Sequence, residues 1–385
     1  MNLCIITSSF PSHPADLAQA PFLVPFIQEL QKRGHSIFVF TQDREGRKEP
    51  FLEGVQVRWF PWMGSDKPLV HLNPFRPLDG LRIGNLFLKG RKALLPFIKE
   101  NKVDACLGLW VLPGGAFAHY AFRRHGTPYS VWALGSDIQR YGRNPFLRRV
   151  MKRIIRDART VFADGFDLSK KVEKDYGKKC SFLATTRFLA RDVACNVSTE
   201  EPFKVPPSPY RFLFVGRLER VKGIDLLLQA MALLKEENLH VHLTMIGGGG
   251  MEAWARGFVK KQGLEKYVSL TGNVSDPMLA RQYGSCDCVV IPSRSESIPL
   301  VFSEALQFNK EMIVTDVGDM GTLGRRYGVA SVVPPEDPLA LKEMMKGRIE
   351  SRDKKTDGEG EVKRAELRRF FDIETSVERF LADYR

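Results

Sequence analysis

Two α/β domains, each a doubly wound parallel sheet, are what this chain predicts. Two observations carry the expectation. Strand-like apolar runs alternate with amphipathic helical patterns from one end to the other, and 385 residues are more than a single core usually holds. A hydrophobic content of 43% leaves apolar surface enough for two cores.

The chain opens on MNLCIITSSFP. No basic stretch precedes its apolar residues and no small-residue cleavage site follows, so it reads as a first β-strand and not as a signal peptide. A helix at 21–35 puts Phe22, Phe26, Ile27 and Leu30 on one face and closes on Gly34. Further strands are expected at 35–42, 55–62, 105–111, 129–136, 160–165 and 180–186. The aperiodic, Pro-rich STEEPFKVPPSP at 198–209 fits a linker between domains. Beyond it the alternation resumes, with strands at 211–216, 240–249, 268–272, 286–293, 311–316 and 330–335. Helices fall between them at 224–238, 250–263, 276–285 and 298–308, and one more follows at 337–349. The charged run 351–364 reads as a mobile surface loop, and 365–385 as one amphipathic helix. The expected domains are 1–200 and 201–364. No apolar run reaches membrane-spanning length. The six cysteines stand mostly in strand-like contexts, and the lone Cys286-x-Cys288 pair lacks the companions of a zinc site. Reduced core thiols in a cytoplasmic protein account for them.

Chemistry concentrates at the ends of strands in the second half. Gly216 gives a sharp exit from a strand, and Arg217 and Lys222 follow where open parallel sheets bind ligands. A guanidinium and an ammonium together suit a diphosphate, and ordinary solvated surface cations are the competing account. Glu296 and Glu304 stand eight apart in PSRSESIPLVFSEAL. If a helix begins near Ile298, Pro299 suits its first turn, and the Leu300 and Val301 amides are free to receive phosphate oxygens after Ser297. Two unrelated surface glutamates remain the plainer alternative. Gly247 and Gly248 let backbone approach a ligand, and Asn273 and Val274 end a strand where a nucleotide base would lie; simple turns explain both as well.

FVGRLERVKGIDLLLQA, MIGGGG, LTGNVSD, SCDCVVIPSRSESIPLVFSEAL and VTDVGDM, in this order and spacing, resemble the C-terminal domain of the family-4 retaining glycosyltransferases of the GT-B fold, also called group 1 glycosyltransferases. SSFPSHPADLAQAPFLVPFIQELQKRGHSIFVFT, LWVLPGG and WALGSDI resemble the family's acceptor domain. The resemblance implies two Rossmann-like domains facing a cleft, the second holding a nucleotide-sugar donor. It also implies a final helix crossing back to the first domain. Carried over by position, Arg217 and Lys222 bind the donor diphosphate, Glu296 the donor sugar and Glu304 the ribose hydroxyls. The implied enzyme is a retaining hexosyltransferase that needs neither metal nor other cofactor, working in polysaccharide biosynthesis.

The departures lie in the first half. Ala18-Gln19-Ala20 stand where a glycine pair is usual, Leu134 where a histidine is usual, and Ala184-Thr185-Thr186-Arg187 replace an Asn-Gly. Ser136 and Asp137 are the candidates for orienting acceptor or sugar, against a simple polar cap on a buried strand. These departures keep two other classes open, an inert pseudo-transferase serving as a binding or assembly subunit and an epimerase of sugar nucleotides.

Charge is uneven. Residues 1–200 hold 31 basic and 18 acidic side chains, whereas residues 201–385 hold 27 of each. The whole +13 excess therefore belongs to the first half. Its cations interleave with apolar residues at 81–99 and 145–159, the composition of a helix on the anionic inner face of a membrane or beside a lipid-linked acceptor. Ordinary amphipathic helices are the rival account, and no nucleic-acid motif appears.

Overall fold

Each apolar run read as a strand becomes one. The computed structural model describes residues 1–13, 19–44, 52–65, 69, 72, 76–189, 209–352 and 358–384. Ala18 and most of the 198–209 linker lie outside the described residues. The first half runs β1 (Asn2–Ile6), α1 (Leu23–Lys32), β2 (Ser36–Gln42), β3 (Gln56–Phe60), α2 (Pro77–Glu100), β4 (Ala105–Leu109), α3 (Ala116–His125), β5 (Tyr129–Ala133), α4 (Ser136–Arg140), α5 (Pro145–Asp157), β6 (Val161–Ala163), α6 (Phe166–Tyr176) and β7 (Cys180–Phe182). The second runs β8 (Tyr210–Val215), α7 (Ile224–Glu236), β9 (Val241–Ile246), α8 (Glu252–Lys261), β10 (Val268–Gly272), α9 (Asp276–Ser285), β11 (Cys288–Ile291), α10 (Leu300–Gln307), β12 (Glu311–Thr315), α11 (Met320–Tyr327), β13 (Ala330–Val333), α12 (Pro338–Glu350), α13 (Gly358–Phe370) and α14 (Ile373–Ala382).

The sheets are ordered β3-β2-β1-β4-β5-β6-β7 and β10-β9-β8-β11-β12-β13, with parallel pairing throughout. Strand order reverses between β1 and β4 in one sheet and between β8 and β11 in the other. Those are the points at which open α/β sheets leave a crevice beyond the strand ends. β4 and β5 are buried at every position, as strands covered on both faces must be. One core stacks Phe40 on Phe60 at 4.9 Å, and the other gathers Phe212, Leu227, Met231, Leu243 and Val290. All five described cysteines are buried free thiols.

Contacts divide the chain into two units, 1–186 with 372–385, and 187–371. The first therefore closes earlier than residue 200, because Arg187 pairs with Asp276 and faces Glu304 of the second.

Two expectations at the C-terminal end are corrected. The 351–364 run is not all loop, since α13 starts at Gly358. The single helix over 365–385 is two helices, broken where Asp372 caps α14 by accepting from the Thr375 amide at 2.8 Å. α14 then packs on the first unit, with Phe380 against Phe26 at 5.5 Å and Phe162 at 5.7 Å. Arg33 reaches Glu378 at 3.4 Å, and the Tyr384 hydroxyl donates to Ser130 Oγ at 2.8 Å. The short, glycine-interrupted α11 escapes a periodicity reading altogether. Among the described residues no helix is long and apolar enough to cross a membrane.

Candidate functional site

The loops after β8 and β11 meet at the second sheet's reversal point. After β8 the chain leaves Gly216, passes Arg217 and tightens into a single 3₁₀ turn over Arg220–Lys222 before α7. Gly223 makes this possible. Its φ of +67° suits glycine, and a Cβ there would collide with the Pro292 carbonyl just beyond β11. The two loops can therefore touch, and Lys222 forms an ion pair with Glu296. Ser293 Oγ donates to the same Glu296 oxygen at 3.1 Å.

Arg294 fastens the arrangement. Its guanidinium donates to both Asp225 oxygens at 2.6 and 2.9 Å, to the Arg220 carbonyl at 2.6 Å and to Glu336 at 2.5 Å. Its amide donates to the Val221 carbonyl at 2.8 Å. Asp225 and then Glu336 hold Arg294 above its ordinary range, so it stays a cation. One side chain thus ties the turn that delivers Lys222 to the loop that delivers Glu296.

The helix beyond starts two residues later than expected. Pro299 is the residue before the first turn, with φ −74° and ψ 150°, and Leu300 opens α10. Among the described residues the Leu300 and Val301 amides meet no acceptor, and Ser297 Oγ, close by in sequence, is also unpartnered. Unpaired donors at a helix N-terminus beside an ammonium are suited to an anion. The Asp319 amide braces the loop by donating to the Ser297 carbonyl at 3.4 Å. Ile298 is buried beneath.

The glycine run after β9 is bonded to the Arg217 loop. Leu218 N donates to Gly248 O at 2.9 Å, Met251 N to Leu218 O at 2.9 Å, and Gly247 N to Gly272 O at 2.9 Å. Arg217 is exposed and forms no ion pair among the described residues. Asn273 is exposed at the end of β10, with Val274 half-buried after it.

Residues 198–358 match the model of the family described as glycosyl transferases group 1. The putative teichuronic acid biosynthesis glycosyltransferase TuaC of Bacillus subtilis is 26% identical over 364 residues, 89% of this chain and 88% of that protein. The segment 198–358 is thus similar to the group 1 glycosyltransferases. A D-inositol 3-phosphate glycosyltransferase of Pseudarthrobacter chlorophenolicus is 34% identical over 120 residues, covering 30% of this chain and 29% of that protein. Sucrose-phosphate synthase from Thermosynechococcus elongatus superposes with a TM-score of 0.78 at 16% identity, covering 100% of this chain and 98% of that one. Anabaena HepE in complex with UDP-glucose superposes with 0.74 at 16% identity, covering 100% and 99%. These superpositions establish the GT-B fold of the chain.

The two glutamates separate in environment. Glu296 stands in the loop, half-buried against Lys222. Glu304 lies in α10 and is only 2% exposed. Its Oε2 accepts from the Tyr283 hydroxyl at 2.7 Å, and Arg187 Nη1 stands 3.7 Å from Oε1. Burial pushes its carboxyl up, against a pull down from Arg187 and then Tyr283.

The residues expected on the acceptor side belong to the other unit. Gln19 accepts from Ser9 Oγ at 2.7 Å, and Ser136 is exposed. Asp137 is fully buried beneath the turn that follows β4 and not on an accessible face. Its Oδ2 accepts from the Val111 amide at 2.6 Å, while Oδ1 has no partner. Burial raises it to about 6 despite that bond and other backbone donors.

Sequence reasoning missed Arg187, Tyr283 and Arg294. Arg294 carried a faint signal, a cation two residues ahead of Glu296 in a strand-end loop. Arg187 and Tyr283 carried none, since they reach Glu304 only through the fold.

Proposed function

We propose that this glycosyltransferase moves a hexose from a nucleoside-diphosphate sugar to a glycan or lipid-linked acceptor, with retention at the anomeric carbon. The reading rests on one observation, the Lys222–Glu296 pair set in the loop that leads to the free Leu300 and Val301 amides. In this mechanism Lys222, Arg217 and the amides stabilise the departing diphosphate. Glu296 meets the donor sugar and Glu304 the ribose. The bond from the anomeric carbon to the leaving phosphate oxygen breaks as the acceptor oxygen joins on the same face, and the leaving phosphate takes the acceptor proton. The cations and amides carry the charge that a metal ion supplies in other transferases, and the reaction needs no cofactor.

The acceptor proposed is an intermediate in the synthesis of a cell-surface polysaccharide, in keeping with the relative named for teichuronic acid. A peripheral place on the inner face of an anionic membrane goes with it. On α5 the exposed side chains are Pro145, Phe146, Arg148, Arg149, Lys152, Arg153 and Arg156, while Met151, Ile154 and Ile155 are buried. Such a face suits anionic lipid.

Thermal melting with UDP, GDP and ADP tests the donor reading. A bound nucleotide at a hundred times its Kd adds roughly 2.7 kcal/mol. At least one should raise the melting temperature of the wild type and have no effect on Arg217→Ala or Lys222→Ala. No shift with any of the three sinks the reading.

A further inference from the structure

Glu304 is too buried to stand alone. A carboxylate removed from water needs a partner, and the manner of its pairing decides what it can still accept. Tyr283 occupies Oε2. Arg187 stands 3.7 Å from Oε1, near enough for charge and too far for a hydrogen bond. Oε1 therefore keeps its lone pairs while feeling a cation.

Arg187 cannot drift from that position. Its Nη2 is paired with Asp276 at the start of α9. Its carbonyl accepts from Gln307 Nε2 at 2.6 Å, and the Leu189 amide donates to Gln307 Oε1 at 3.3 Å. Gln307 follows Glu304 by three residues, hence on the same side of α10. The helix thus grips the backbone of the residue whose guanidinium faces its own carboxylate.

We infer that Arg187 is a positioning residue, holding Glu304 as an ionised acceptor for the ribose hydroxyls of a bound nucleotide. The inference rests on the donor reading above. The groups facing Glu304 are Arg187, and Tyr283 and Asp276 from α9; Asp276 pushes the carboxyl up where the first two pull it down. Cys286, which donates to the Tyr283 carbonyl at 3.4 Å, is held at about 12 by burial and is uncharged. From α13, Arg364 turns to Glu311 and Arg368 reaches Asn309. Arg187 is the one cation acting on Glu304 among these, and without it Glu304 takes up a proton at higher pH. A protonated Glu304 presents one fewer acceptor to the ribose. Nucleotide affinity consequently has an acid limb, and removing Arg187 moves that limb to higher pH.

The test is calorimetric titration of the full chain with UDP and 2′-deoxy-UDP between pH 5.5 and 8.5, with the ADP and GDP pairs run alongside. Arg187→Gln should weaken ribonucleotide binding about tenfold at pH 7, recover as the pH is raised, and lose discrimination against the deoxy form. Arg187→Lys should restore most of it. A variant that loses affinity equally at every pH, or keeps the wild-type limb and discrimination, overturns the inference. Should Arg187→Gln not fold, Gln307→Leu takes its place, releasing the Arg187 backbone while leaving its charge. A raised limb supports the proposal and an unmoved one overturns it. If the wild type binds none of the nucleotides, the donor reading itself fails; if it binds and the variants match it, only this inference does.

Discussion

The two sheets reverse strand order in the same way, yet the two reversal points are finished differently. Between β8 and β11 the loops touch through backbone at Gly223 and Pro292, and side chains then join them. Lys222 reaches Glu296, Arg294 ties both loops, and amides are left over. Between β1 and β4 the finish is backbone on backbone. A Cβ on Gly114 would stand 2.6 Å from the Ile6 carbonyl and nearer still to that of Leu109, and the buried Asp137 holds the Val111 amide. One crevice is charged and adjustable by rotamer, the other is fixed by close packing. Similar topology therefore sets where a site can form, and loop chemistry sets whether it does.

The contrast is most forcefully probed by leaving both crevices alone. Phe380→Ala empties a contact of α14 with Phe26 and Phe162, and should cost about 3–5 kcal/mol in denaturant unfolding. Nucleotide affinity should be unchanged, because the donor loops lie in the other unit. A parallel fall in affinity would break the separation of roles. Lys222→Ala attacks the charged crevice itself. Release of nucleoside diphosphate in the presence of acceptor should slow by roughly 10²–10³-fold, with the circular dichroism spectrum retained.

Arg294→Lys is milder. It keeps the charge but loses the fork that spans Asp225, Arg220 and Glu336, and the donor KM should rise about tenfold. An unchanged KM would show that the two loops find their places without it. The smallest effect belongs to Asp137. Its carboxyl, raised to about 6, binds its proton more tightly folded than unfolded, so its contribution to stability is present at low pH and lost as pH rises through 6. Between pH 7 and pH 5 the wild type should therefore gain about 1 kcal/mol of unfolding free energy relative to Asp137→Asn, which can still accept from Val111.

Much of the frame was legible because its elements announce themselves locally. Runs such as CVVI and EMIVT, buried on both faces, allow little besides a strand. The helix over 365–385 was misread because FFDIETSVERF keeps an apolar period across Asp372, and period alone does not report a cap. MGTLGRRY was passed over because two glycines and two arginines weaken its helical signal. The loop cations and the Glu296 loop were legible as a motif in order along the chain. The partners of Glu304 were not, since Tyr283 and Arg187 stand on other segments of the chain and such pairings have no local pattern to betray them. Burial of Asp137 was equally hidden, for GSDIQ looks as solvated as any strand-end loop.

The return of α14 has a bearing on biosynthesis. A ribosome must finish the whole second unit before it can emit the segment that covers Phe26 and Phe162. Until then the emerging first half exposes an aromatic seam, a natural grip for a chaperone. A stop codon introduced after Phe371 would leave that seam permanently bare, while every side chain placed here in the donor site would still be translated.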